Sequence, residues 1–192
     1  SAASDVYKRQ AYHLCRRGYS VSAVVFSERG VSYSGRPMAG VVGFSRVYRT
    51  LSEVEYVGAG PQGSGAPSVP LDAVLTRVVL SVPRERSIVF LFTRPADAGR
   101  EEFAVRLSRT LGSRGHVVFL VTPILVSYEL SDVPHVARGL YQLKLYEVLR
   151  RDLESIRRLR SLGVRVIALA PRHVPQRVVR VVEELVSGAV WH

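Results

Sequence analysis

Residues 87–91 (SIVFL) read as a buried strand, and the chain continues Phe92-Thr93-Arg94-Pro95-Ala96-Asp97. Ligands of open α/β sheets bind at the carboxyl ends of the strands. A guanidinium at Arg94 repels a cation there and can pair with an acidic group. At about 4 Å that unit-charge interaction is roughly 4 kcal/mol at an effective dielectric of 20. Asp97, three residues further on, is the nearest carboxylate. The five histidines, His13, His116, His135, His173 and His192, stand at no paired metal-ligand spacing. His116 opens a strand and is expected to be a satisfied structural residue. His173 falls where a strand hands over to a helix, at the same carboxyl edge. Gly58–Gly63 (GAGPQG) matches the spacing GxGxxG, but Pro61 supplies no N–H and the loop runs on to Pro70 instead of opening a helix. Dinucleotide binding needs N–H groups at a helix N-terminus and an acid about 20 residues on. No GxxxxGK[ST] and no GxSxG is present. Ser, His and Asp fall at no local spacing that joins them into a triad, so these motifs give catalysis no support; a hydrolase with dispersed catalytic residues stays open beside the non-enzymatic reading.

These residues hang on a repeated phrase. "RRGYSVSAVVF", "SRGHVVFLV" and "SLGVRVIAL" each end a helix at Gly, turn, and begin a buried strand. Val21–Phe26 and Val31–Ser34 predict a β-hairpin across Ser27–Gly30. Met38–Leu51 predicts a helix with Val41, Phe44, Tyr48 and Leu51 in helical spacing. Gly58–Pro70 is a loop on composition, and Leu71–Val82 a short helix. Strand Ser87–Phe92 is followed by a helix over Arg100–Ser113, a strand over His116–Thr122, and a surface connection over Ile124–Gly139. A long helix over Leu140–Leu162 should bury Tyr141, Leu145, Leu149, Ile156 and Leu159. Glu147–Arg151 and Glu154–Arg158 lie four apart on its other side. Strand Val164–Ala170 and a helix with Val174, Val178, Val181, Val182 and Leu185 on one stripe close the order. Buried strands alternating with helices imply a mostly parallel sheet covered on both faces.

The chain has 192 residues, 47% hydrophobic, with one cysteine, Cys15, and a net charge of +11 carried by arginine except at Lys8 and Lys144. One cysteine excludes an internal disulfide framework. No run of 18 apolar residues occurs. The absence of Asn and the single Met suit a heat-adapted source. The basic residues are dispersed; the densest run, Arg150, Arg151, Arg157, Arg158 and Arg160, is read as a solvated helix face diluted by Asp152. A basic α/β protein binding nucleic acid or nucleotides is the alternative the charge keeps open. The first ten residues, SAASDVYKRQ, have no periodicity and look like a translated library adapter from a metagenomic assembly, so a non-native leader is expected over residues 1–10.

In order and phrasing, residues 11–190 resemble a von Willebrand factor A-like domain. More narrowly they resemble the carboxyl-terminal part of the prokaryotic family called domain of unknown function 58. Three stretches carry the likeness: "CRRGYSVSAVVFSERGVSYSG", "GSGAPSVPLDAVL" and "LRSLGVRVIALAP". The resemblance implies a three-layer, Rossmann-like α/β fold, mostly parallel with an antiparallel edge hairpin. It implies that residues 11–192 are an incomplete domain whose central first strand is missing. Such a piece, expressed alone, should aggregate. Relatives bind a divalent metal through an Asp-x-Ser-x-Ser strand, a Thr and a later Asp. Here the first is absent, Ser68 stands near the Thr place, and Thr93-Arg94 stands at the Asp place. Ser68 and Asp97 are then the only candidate ligands, and the site is expected to be degenerate, with no cofactor. Mg²⁺ would enter only if a missing upstream strand supplied ligands. The implied role is protein binding, as an accessory to a MoxR-type AAA+ ATPase or its client in complex assembly or maturation. The contact would lie at Ser68, Thr93, Arg94, Asp97 and Thr122. A cytoplasmic location is expected, for a parent that could be membrane-tethered.

Overall fold

The computed structural model describes residues 2–27, 30–58, 70–93, 100–124 and 138–188. It is mixed α/β and divides into two compact units: Ser1–Glu85 with Pro175–His192, and Arg86–Val174. No described helix is long and apolar enough to cross a membrane.

In the first unit, α1 (Ala2–Arg16) is followed by β1 (Val24–Ser27), β2 (Gly30–Tyr33), α2 (Gly40–Gly58) and α3 (Leu71–Ser81); α6 (Val174–Val186) returns to it. The hairpin is antiparallel, Val24 opposite Tyr33 and Ser27 opposite Gly30. Its first strand is shorter than expected, because Val21 leaves the pair to bridge Met38. α1 lies on α2 and buries Ala11, Leu14 and Cys15. The helix runs through residues 2–10, the stretch read as a non-native leader. Ser4 and Gln10 are buried there, and Ser4 Oγ and Gln10 Oε1 find no partner among the described residues.

The stripe read for α2 is one residue out of phase. Val41 and Tyr48 face solvent, while Gly43, Val47 and Thr50 are buried. Gly43 explains the shift: a Cβ there would lie 1.9 Å from Met38 O and 3.4 Å from Cys15 Sγ. Only glycine lets the helix approach the Val21–Met38 bridge and α1 this closely. α3 covers the hairpin with Val74, Leu75, Val78 and Val79. α6 buries Val178, Val181, Val182 and Leu185, the expected stripe. Arg17 reaches Glu183 of α6 at 2.6 Å.

The second unit is a parallel sheet in the order β3-β4-β5, from β3 (Ile88–Phe92), β4 (Val117–Pro123) and β5 (Arg165–Leu169). α4 (Arg100–Ser113) buries Phe103, Ala104, Leu107 and Leu111 and packs on β4; α5 (Arg138–Ser161) packs on β5. Pro171–His173 is a single 3₁₀ turn leading out of β5.

Three helix ends share one cap. At Gly18, Gly115 and Gly163 φ is 87°, 88° and 85°. Each glycine N–H bonds back three residues, and the next N–H bonds back five: Tyr19 to Leu14 O, His116 to Leu111 O and Val164 to Leu159 O. This is the Schellman geometry, whose left-handed residue favours glycine. It explains why the three sequence phrases look alike.

On α5 the inward stripe begins later than expected. Tyr141 is exposed; Leu145, Asp152, Ser155, Ile156 and Leu159 are buried. Asp152 therefore does not dilute a surface patch. The expected Glu154–Arg158 pair is replaced by two others. Glu154 lies 3.6 Å from Arg150, and Arg158 makes a two-point contact with Glu101 of α4 at 3.0 and 3.1 Å. Helix packing brings Glu101 to Arg158 across 57 residues of chain, which local spacing does not reveal.

Candidate functional site: the carboxyl edge of the parallel sheet

The register of the sheet fixes what meets at its carboxyl edge. Phe92 stands opposite Val121, and Thr122 opposite Ala168. Thr93, whose N–H reaches Val121 O at 3.3 Å, thus comes level with Thr122 and Ala168. Side chains alternate along strands, so these three lie on the face of Leu91 and Leu120, both buried. The opposite face carries the stacked Phe90 and Phe119 rings, 5.5 Å apart, with the Arg165 guanidinium 6.0 Å from the Phe119 ring. Past β4, the Ile124 N–H bonds Leu169 O at 2.9 Å and holds the two strand exits together.

The expected site residues divide sharply. Thr93 is half-buried at the edge. Thr122 lies within β4, as the strand read over His116–Thr122 has it, and is only 2% exposed. Ser68, Arg94 and Asp97 lie outside the described residues, as do most of the Gly58–Pro70 loop and of the Ile124–Gly139 connection. His173 is where the sequence puts it, just past β5 and exposed. Its neighbour Arg172 escaped notice: the Arg172 Nε–H donates to His173 Nε2 at 3.1 Å. The signal for it was positional, a basic residue in the first turn after a parallel strand.

His116 stands at the other end of the sheet. It is 6% exposed, and its Nδ1 accepts the Ser87 N–H at 3.1 Å. Burial, assisted by the charge of Arg114, lowers its pKa. It ties the entry of β3 to that of β4, the structural role expected of it.

The described donors at the carboxyl edge do not fit a divalent cation. Mg²⁺ and Ca²⁺ are held by carboxylate and other hard oxygens. Here the side chains are the Thr93 hydroxyl, the buried Thr122, the Arg172 guanidinium and the His173 imidazole. Among the described residues, no three His, Cys, Asp or Glu side chains converge anywhere. The exposed Arg172 guanidinium, next to the His173 imidazole, suits an acceptor instead, such as a carboxylate. No family model, curated protein or solved structure matches the chain.

Proposed function

We propose that the chain is a non-enzymatic protein-interaction domain that receives an acidic group of a partner at the carboxyl edge of β3-β4-β5. The partner is a MoxR-type AAA+ ATPase or its client, in the assembly or maturation of a larger complex. The finer architecture, a three-layer von Willebrand A-like sheet with the hairpin at its edge and a degenerate metal site, belongs to the same proposal, as does a cytoplasmic setting. The supporting observation is Arg172, exposed beside His173 at the edge that also carries Thr93. Arg94 adds a second guanidinium at the same end of β3 in sequence.

Calorimetric titration of the 192-residue chain with a purified MoxR-type ATPase tests this. Arg94→Glu and Arg172→Glu should each weaken binding roughly tenfold, as charge reversal at a complementary contact does. Affinity indifferent to both variants contradicts the site, and no binding contradicts the partner. The net charge of +11 favours a second reading, nucleic-acid binding. Duplex affinity falling by about 0.9 log units per phosphate contact for each decade of salt would place that reading first.

A further inference from the structure

Ser87 is held twice at the entry of the parallel sheet. Its C=O accepts the Val117 N–H at 3.1 Å, as a ladder rung does, and its N–H donates to His116 Nδ1 at 3.1 Å. The next backbone rung would fall to Gly115, but Gly115 is the left-handed residue of the α4 cap, with φ at 88°. An imidazole nitrogen stands in for a strand carbonyl. Only one protonation state allows this. A neutral imidazole with its proton on Nε2 offers a lone pair at Nδ1, whereas an imidazolium carries N–H at both nitrogens. On protonation two N–H groups would face each other where the histidine is only 6% exposed. A backbone donor left without an acceptor there must open toward water to find one.

We propose that His116 and Ser87 form an acid-sensitive clasp, closed while the imidazole is neutral and released when it takes up a proton. What it releases is the passage over residues 82–86, which leads from α3 into β3 and contains the division between the two compact units, between Glu85 and Arg86. Arg84, Glu85 and Arg86 are exposed, so this passage has little burial to hold it once the tie is gone. The charges nearby do not compensate a new cation. α4 brings Arg114 and the approach to β3 brings Arg86 and Glu85, all exposed. β5 opens with Arg165, whose guanidinium lies 6.0 Å from the Phe119 ring, on the other face of the sheet. Glu85 is the one carboxylate among these four. Burial first, and then the Arg114 charge, lower the His116 pKa from its ordinary 6.5. The open passage leaves the imidazole nearer its ordinary value, so opening takes up a proton. The opening equilibrium then rises by up to about tenfold for each pH unit below 6.5. This is a local event at the entry of β3, distinct from acid unfolding of the whole chain and from anything at the carboxyl edge.

The test is an NMR titration of the isotope-labelled 192-residue chain from about pH 8 to about pH 5, across the range in which histidine changes charge. The Ser87 amide proton should move upfield in one transition that shares its midpoint, below 6.5, with the His116 ring protons. The heteronuclear NOE of Arg84, Glu85 and Arg86 should fall over the same range. The amides of Leu120 and Val121, both 0% exposed in β4, should hold their positions. His116→Gln, an acceptor that does not titrate, should leave Ser87 and the passage unchanged with pH, and Glu85→Gln should leave the transition in place. If His116→Gln does not fold, the native chain decides alone. Several results overturn the proposal: a Ser87 amide that stays put while His116 titrates, a histidine that remains neutral throughout, or a transition that disappears with Glu85→Gln. An unchanged NOE over residues 84–86 across the transition also overturns it. So do Leu120 and Val121 changing in step with Ser87, which would make the protonation part of global unfolding.

Discussion

Glu101 is the residue on which the α4–α5 contact turns. It accepts from Ser155 Oγ at 2.5 Å, and Ser155 is fully buried. The Arg158 hydrogen bond, with Ser155 and the Arg158 charge, holds the Glu101 carboxyl below its ordinary range despite opposing burial. Glu101→Ala strips the buried Ser155 hydroxyl of its acceptor, which should cost about 1–3 kcal/mol. Urea denaturation of Glu101→Ala beside Glu101→Ala/Ser155→Ala reads it, with the double variant recovering part of the loss. Two titrations set the acid limit. Both pKa values are lowered on folding, so both contributions are present above the ordinary value and lost as pH falls. His116 acts first, from its ordinary 6.5 downward, and Glu101 from 4.5 downward. His116→Gln, which keeps an acceptor for Ser87 but does not titrate, should flatten stability against pH just below 6.5. A slope unchanged from that of the native chain would contradict this role. Gly43→Ala should destabilise by about 3 kcal/mol, the upper end of overpacking, because backbone blocks the new Cβ. An unshifted denaturation midpoint would rule out that close approach. None of this was legible locally: Glu101, Ser155 and Gly43 look like ordinary helix residues until packing gives them neighbours. His116 was legible because a lone histidine opening an apolar strand has few other uses.

At the scale of elements, legibility followed locality. The three glycine caps, the strands after them and the span of α4 are encoded within a few residues and could be read directly. The phase of α2 could not, since Val41, Phe44 and Tyr48 offer as regular a stripe as Gly43, Val47 and Thr50. A glycine contact with Met38 decided it. Among the described residues β3 is an edge strand of its sheet, and its five residues, IVFLF, contain no charge and no proline. Such an edge is a template for pairing with another chain. Concentration-dependent association is therefore expected by light scattering. Ile88→Lys, a charge at the first position of the strand, should suppress it without changing the helical circular dichroism. Equal association of both proteins would place the sticky surface elsewhere.

For the whole molecule, two compact units and a parallel sheet establish an α/β chain and no more specific family. Part of the candidate site could be read in the sequence, because strand ends predict where a sheet presents side chains. Thr93 and His173 are found at that edge, whereas Thr122 is buried inside β4 and Arg172 emerges only with the turn after β5. The charge of +11 says that an acidic partner is attracted, but not to which surface. Amide hydrogen exchange of the chain, free and in the presence of excess MoxR-type ATPase, tests the proposed contact directly. Protection is expected in peptides containing Thr93, Ile124 and Ala170–His173, the three exits of the parallel sheet. Protection confined to the β1–β2 hairpin or to the amino-terminal ends of the strands, with these exits exchanging as in the free chain, would contradict an interaction domain that works through its carboxyl edge.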